Sequence, residues 1–382
     1  MKAKTFIVLV LLFNISASYA FENFDQAFYQ MRHRYSLGHY KRIIAIASDA
    51  LELSKNPTQK YQALYYKGLA LNALQDFWQA GQVFEQAAEI EKISQRQKLQ
   101  ARYNQIKSQY ANKHFTSALV NAEKYSKFSG KPSVLQLNIL LTAIESARQL
   151  GQNTKALALA EKMTYNTSPD SAWHYRGMIM EIQILCLLKK YGKAKEAMSE
   201  ADITKIPLPM RAEFLAWAGF CYEKDNRNEA AAKLYSYAYE KHSSYYSGLA
   251  ALRHANLLSR TGGNHDEIAL KYAKVLEFPR AHPKHKSQAI YKIAYIYQQK
   301  QKPEKAIEYL AQVKNLKSPS VYWLAKIYNL HGDILYKQGK TVMAKQYFKA
   351  CLNLSKPLPA SKLYASEIIA KMEEKRVLPE KQ

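Results

Sequence analysis

The stretch Ala325–Pro357, AKIYNLHGDILYKQGKTVMAKQYFKACLNLSKP, reads as two short amphipathic helices around a turn. In the first, Tyr328, Leu330, His331, Gly332 and Leu335 fall on one flank. Gly332 removes a side chain where a second helix must approach. Gly339 marks the turn, because glycine tolerates the left-handed backbone that ends a helix. The second helix places Ala344 twelve residues after Gly332, Phe348 four later and Leu352 one turn further. Pro357, which cannot continue a helix, closes the unit.

The same unit recurs outward from this stretch. Pro57, Pro132, Pro169, Pro207, Pro319 and Pro357 are separated by 75, 37, 38, 112 and 38 residues, all multiples of about 37. Nine helix-pair units fit that period. The first has its second helix at Tyr40–Leu53, after Gly38, and the second runs from Tyr61 to Ile90 with Gly68, Ala80 and Phe84 in the positions of Gly332, Ala344 and Phe348. The third and fourth (near Leu99–Pro132 and Leu137–Pro169) lose the glycine but keep the apolar spacing. The fifth begins near Tyr175, and its first helix, MIMEIQILCLL, is apolar nearly all round, as expected of a helix buried between neighbours. The sixth, seventh and eighth start near Ala212, Gly248 and Ser287. A last amphipathic helix, about Ser361–Arg376, covers the exposed face of the final unit, since solenoids need such caps for solubility.

The order aromatic, glycine, alanine, aromatic, proline resembles the tetratricopeptide repeat, a helix–turn–helix module of about 34 residues. The resemblance is close in the second and ninth units and partial in the others. It implies an all-α fold: a right-handed α-α superhelix with a concave groove lined by the first helix of each pair. The expected organisation is a leader at 1–20, a solenoid at 21–360, and a capping helix with a basic tail at 361–382.

Composition agrees. The 382 residues are 48% hydrophobic, ample for a core, and 13 glycines with 12 prolines are too few for a large β protein or a disordered chain. In residues 1–20, Lys2 and Lys4 precede the apolar run TFIVLVLLF, and Ser18-Tyr19-Ala20 fits a small-x-small cleavage site. That is the layout of a secretory signal peptide, so the chain is expected to be exported, periplasmic or secreted, with no transmembrane span after cleavage at Ala20. The run is too short for a bilayer-spanning anchor. Cys186, Cys221 and Cys351 each sit among apolar helix residues, either as buried free thiols or, for Cys186 and Cys221, as a bridge between neighbouring repeats.

No GxxxxGK[ST] loop, HExxH or CxxC occurs. His282 and His285 in RAHPKHK are flanked by cations with no carboxylate or cysteine nearby, which reads as solvated loop histidines rather than a metal site. The chain is therefore expected to be non-catalytic, without cofactor or metal. By the register of the resemblance, the groove is lined by Tyr65, Asn72, Tyr103, Lys107, Tyr110, Tyr291, Tyr295, Gln298, Asn329, Asp333 and Lys337. Tyrosine is the compositional outlier, with 29 copies, and suits both ligand contact and half-buried packing. Sequence leaves that choice open. Relatives that clamp a carboxylate-ended tail carry lysine where this chain has Tyr65, Tyr103, Leu141, Ile179 and Tyr291, which speaks against that ligand class.

Net charge is +25, and residues 271–382 hold 22 Lys/Arg against 8 Asp/Glu. Lysine outnumbers arginine 43 to 13, while bidentate phosphate recognition favours arginine, so nucleic acid is an unfavourable partner. Two functions fit: an interaction scaffold holding a protein or peptide ligand in its groove, or electrostatic binding to anionic envelope material through the basic C-terminal third.

Overall fold

A computed structural model describes residues 21–128, 130–355 and 358–377. The leader read at residues 1–20 and the tail at 378–382 lie outside them. Among the described residues the secondary structure is nineteen α-helices and one short 3-10 turn. The chain divides after Leu159 into two compact units.

The first unit contains α1 (Phe24–Ser36), α2 (Tyr40–Glu52), α3 (Pro57–Ala73), α4 (Phe77–Glu89), α5 (Gln95–Ala111), α6 (Phe115–Tyr125), α7 (Val134–Gln149) and the start of α8 (Asn153–Tyr165). From α1 to α7, each helix packs on the next, and α1, α3, α5 and α7 also pack on one another in series. This layering is that of stacked hairpins. Met31, Ile43 and Ile46 form one core and Leu71, Phe84 and Ala80 another.

The second unit continues with α9 (Ala172–Leu187), α10 (Tyr191–Ser199), α11 (Leu208–Lys224), α12 (Asn228–Glu240), α13 (Tyr245–Arg260) and α14 (His265–Glu277). It ends with α15 (Pro283–Gln299), α16 (Pro303–Ala311), a 3-10 turn at Gln312–Asn315, α17 (Val321–Lys337), α18 (Thr341–Leu352) and α19 (Pro359–Val377). Here α9, α11, α13, α15, α17 and α19 form the continuous series. The α9 segment expected to be buried all round is buried from Met178 through Cys186 apart from Glu181, whereas Leu187 after it is 48% exposed. The expected capping helix is α19, which buries Ala365 and Met372 against Phe348 and Cys351.

Local chemistry sets the helix ends. Asn23, Asn56, Ser94, Ser133, Ser171 and Ser244 cap the first helices of their hairpins by accepting a backbone N–H from within the first turn. The turn inside every hairpin is the same object. One residue takes positive φ, and the next N–H bonds back to the carbonyl five residues earlier, as in Lys340 N–H to Leu335 O at 2.9 Å. Glycine fills the left-handed position at Gly38, Gly151, Gly262 and Gly339, but Gln75, Lys113, Lys189, Asn226 and Gln301 fill it in the other five hairpins.

The expectation for the histidines of RAHPKHK needs correction. They are not a loop: His282, though exposed, caps α15, its Nδ1 accepting Lys284 N–H at 3.0 Å, and His285 lies half-buried in the first turn. Burial pulls the His285 imidazole down to about 4, helped by His282, Lys284 and Arg253, and its Nδ1 is buried without a partner. Pro283 occupies the first helical turn, where its missing N–H is no loss.

Candidate functional site

The eleven groove residues fall in two groups. In the first unit, Tyr65 and Asn72 on α3 are engaged by α5. The Tyr65 hydroxyl accepts from Gln100 Nε2 at 2.8 Å and Asn104 Nδ2 at 3.1 Å, and Asn72 Oδ1 accepts from Ser108 Oγ at 2.9 Å. These bonds join one repeat to the next. Tyr103 and Tyr110 are half-buried beside Glu145 of α7, and burial raises both phenols above their ordinary value. Lys107 is exposed.

In the second unit, five of the six converge. Tyr291, Tyr295 and Gln298 from α15, with Asn329 and Asp333 from α17, line a cleft of about 300 Å³ closed on its third side by Ser361 and Tyr364 of α19. Lys337 is exposed and is not among the lining residues. One wall is aromatic. Tyr291 stacks on Tyr295 with ring centres 6.1 Å apart, Trp323 lies 5.5 Å from Tyr291, and Tyr322 packs edge-on against Trp323. Lys326, also lining the cleft, holds its ammonium 4.8 Å from the Tyr322 ring centre, 5.2 Å from Trp323 and 5.7 Å from Tyr291. Such contacts fix a cation without neutralising it.

The opposite wall is polar. Asp333 accepts the Tyr364 hydroxyl at 2.8 Å; burial raises the carboxyl above its ordinary range, offset in part by that bond and by Lys337. Asn329 Nδ2 donates to Ser361 O at 2.9 Å, which leaves Asn329 Oδ1 buried without a partner. A buried acceptor left empty is destabilising by about 1–3 kcal/mol.

Sequence reasoning missed Tyr322, Trp323, Lys326 and Tyr364. Tyr322 and Trp323 sit in the opening turn of α17, ahead of the Ala325 at which the repeat pattern begins, and Lys326 follows it directly. The signal was present: Tyr322, Lys326, Asn329 and Asp333 recur at intervals of four, three and four, one face of a helix. A second cleft of about 460 Å³, lined by Leu310, Leu316, Tyr328, His331 and Tyr347, gathers none of the eleven. Among the described residues no group of three or more His, Cys, Asp or Glu side chains is placed to hold a metal ion, and no helix is long and apolar enough to cross a membrane.

Stacked helical hairpins with a polar-aromatic cleft among their first helices define an α-solenoid of the interaction-scaffold class. Residues 287–319 and 325–357 match the tetratricopeptide repeat model, and the chain is a tetratricopeptide-like solenoid. The matched pair spans α15 to α18, and two of these helices, α15 and α17, build two sides of the cleft. The second unit, Tyr61–Ile90, looked as regular in sequence but is not in the match; the eighth, which has Ala294 rather than glycine at the packing position, is. Among solved structures, the apo form of RapI aligns over 91% of this chain and 98% of its own at 13% identity, with a TM-score of 0.52. A tetratricopeptide repeat protein from Parabacteroides merdae ATCC 43184 aligns over 81% of this chain and 98% of its own at 14% identity, with a TM-score of 0.43. No curated protein matches the chain in sequence.

Proposed function

We propose that the chain is an exported, non-catalytic scaffold that holds a peptide or protein segment in the cleft between α15, α17 and α19. One observation carries this: five residues chosen by repeat register meet at a single cleft with an aromatic wall. Tyr291 and Tyr295 offer flat contact area at low entropic cost, and Lys326 a held cation. Export rests on the leader pattern of residues 1–20.

Capture from the native envelope fraction, at low and high salt, tests this function. Wild-type protein is expected to retain a specific partner at both salt concentrations, and Tyr295→Ala to lose it while melting at the same temperature. Release of all captured material by salt would instead assign binding to the 22 cations of residues 271–382, because exposed charges are screened. Identical capture by wild type and variant would remove the cleft from the function.

A further inference from the structure

Helix α16 stops after nine residues and gives way to the 3-10 turn, and the cleft of about 460 Å³ opens where that turn meets α17 and α18. It shares no lining residue with the cleft of Asn329 and Asp333. Its side chains are mostly apolar, with Leu310, Val313 and Leu316 from the α16 side and Ile327 from α17. Tyr328 of α17 and Tyr347 of α18 add two rings, their centres 6.2 Å apart. His331 is the buried polar side chain of this lining: it is 5% exposed and stacks on Tyr347 with ring centres 3.9 Å apart. Among the described residues its ring nitrogens have no hydrogen-bond partner, yet they are not sealed from solvent. We propose that this cleft binds a small neutral aromatic molecule of the indole or phenol class, whose N–H or O–H donates to a ring nitrogen of His331.

Sites for small molecules are apolar concavities of this size in which a few polar groups fix the orientation. Here His331 is that group. Burial alone pulls its imidazole down to about 4, so at neutral pH the ring is uncharged and one nitrogen is an acceptor. The charged side chain of the lining, Lys314, is exposed, so no buried charge would offset the desolvation of an ion drawn inside. The occupant is therefore neutral. The rings of Tyr328, His331 and Tyr347 select an aromatic body, because offset and edge-on ring contacts add to the gain from burying area. A hydrogen to donate completes the match.

Proton–carbon NMR of the histidine imidazoles, on the full chain titrated with indole and with N-methylindole, tests this alongside affinities from equilibrium dialysis. Indole should shift the His331 signals saturably and leave those of the buried His254 nearly still. N-methylindole, which lacks the N–H, should bind about five- to tenfold more weakly, the worth of one hydrogen bond. In His331→Leu, which keeps the lining apolar, the two probes should bind alike. The wild-type titrations stand on their own should that variant not fold. No shift at His331 up to the solubility of indole, equal affinity of wild type for the two probes, or a preference for indole that survives in folded His331→Leu would each overturn the proposal.

Discussion

Gly332 and Phe348 occupy one space: a Cβ at 332 would stand 2.7 Å from Phe348 Cζ. The ring of α18 is seated against the bare backbone of α17, with 0% of it exposed. Gly68 with Phe84 and Gly219 with Tyr235 repeat the arrangement, at 2.7 and 2.6 Å. Gly332→Val is accordingly expected to destabilise by about 2 kcal/mol or more, through overpacking of a filled site. Gly192 is the contrast, since a Cβ on it meets nothing within 4 Å and it lies inside α10. Gly192→Ala should stabilise by about 0.5–1 kcal/mol, the ordinary helix preference. Urea unfolding of both variants decides; a Gly332→Val effect under about 0.5 kcal/mol, typical of surface changes, would show that the ring moves aside.

Elements whose causes are local were legible in the sequence. Proline spacing, apolar periodicity and Gly332–Phe348 lie within one hairpin, so nine hairpins and a cap could be counted directly. Contacts between repeats were not legible. The bonds of Tyr65 to Gln100 and Asn104 span 35 and 39 residues, and nothing local in α3 marks that hydroxyl as occupied. The Tyr364 contribution to the cleft was hidden for the same reason, since it depends on how α19 docks.

The hairpin turns lacking glycine were missed because their geometry is imposed by the flanking helices. Gln301 holds φ +56, a region that disfavours a side chain by roughly 1–2 kcal/mol. Gln301→Gly should therefore raise stability by about 0.5–1 kcal/mol, the strain relieved less the entropy glycine loses. A lowered melting temperature would mean that the Gln301 side chain contributes more than its backbone costs.

Acid should weaken the protein in a defined window. Burial holds His254, His285 and His331 at about 4, against 6.5 for a free imidazole, with Lys271 adding to the effect on His254. Above pH 6.5 these groups are neutral in both states and stability is unaffected by them. Between 6.5 and 4 the unfolded chain takes up protons that the folded chain refuses, so stability falls as pH falls. Glu181, raised to about 7 by burial and by Glu161 and Glu200, acts in the opposite sense over the same window, but it is one group against three. Melting temperature should drop from pH 7 to pH 5, and less steeply in His331→Gln. A flat or rising profile would contradict the buried-neutral assignment.

The tyrosines separate by burial, and each class predicts a different cost. Tyr235 and Tyr272 are 0% and 1% exposed, with hydroxyls donating to Glu223 Oε2 and Asn256 Oδ1, each at 2.7 Å. Cut to alanine, each should destabilise by about 3 kcal/mol or more, from the lost ring and an orphaned acceptor. Tyr295 is 44% exposed and contributes one open face to the cleft. Tyr295→Ala should affect folding by well under about 1 kcal/mol, while weakening ligand binding by about 1 kcal/mol or more, the threshold for an interface contributor. Tyr291 falls between, because its ring is held by Tyr295 on one side and Trp323 on the other. Thermal melts and binding of the captured partner, measured on the same four alanine variants, separate the two roles. If Tyr295→Ala unfolds as early as Tyr235→Ala, then the aromatic wall is part of the packing that joins α15 to α17, and the cleft is a seam rather than a site.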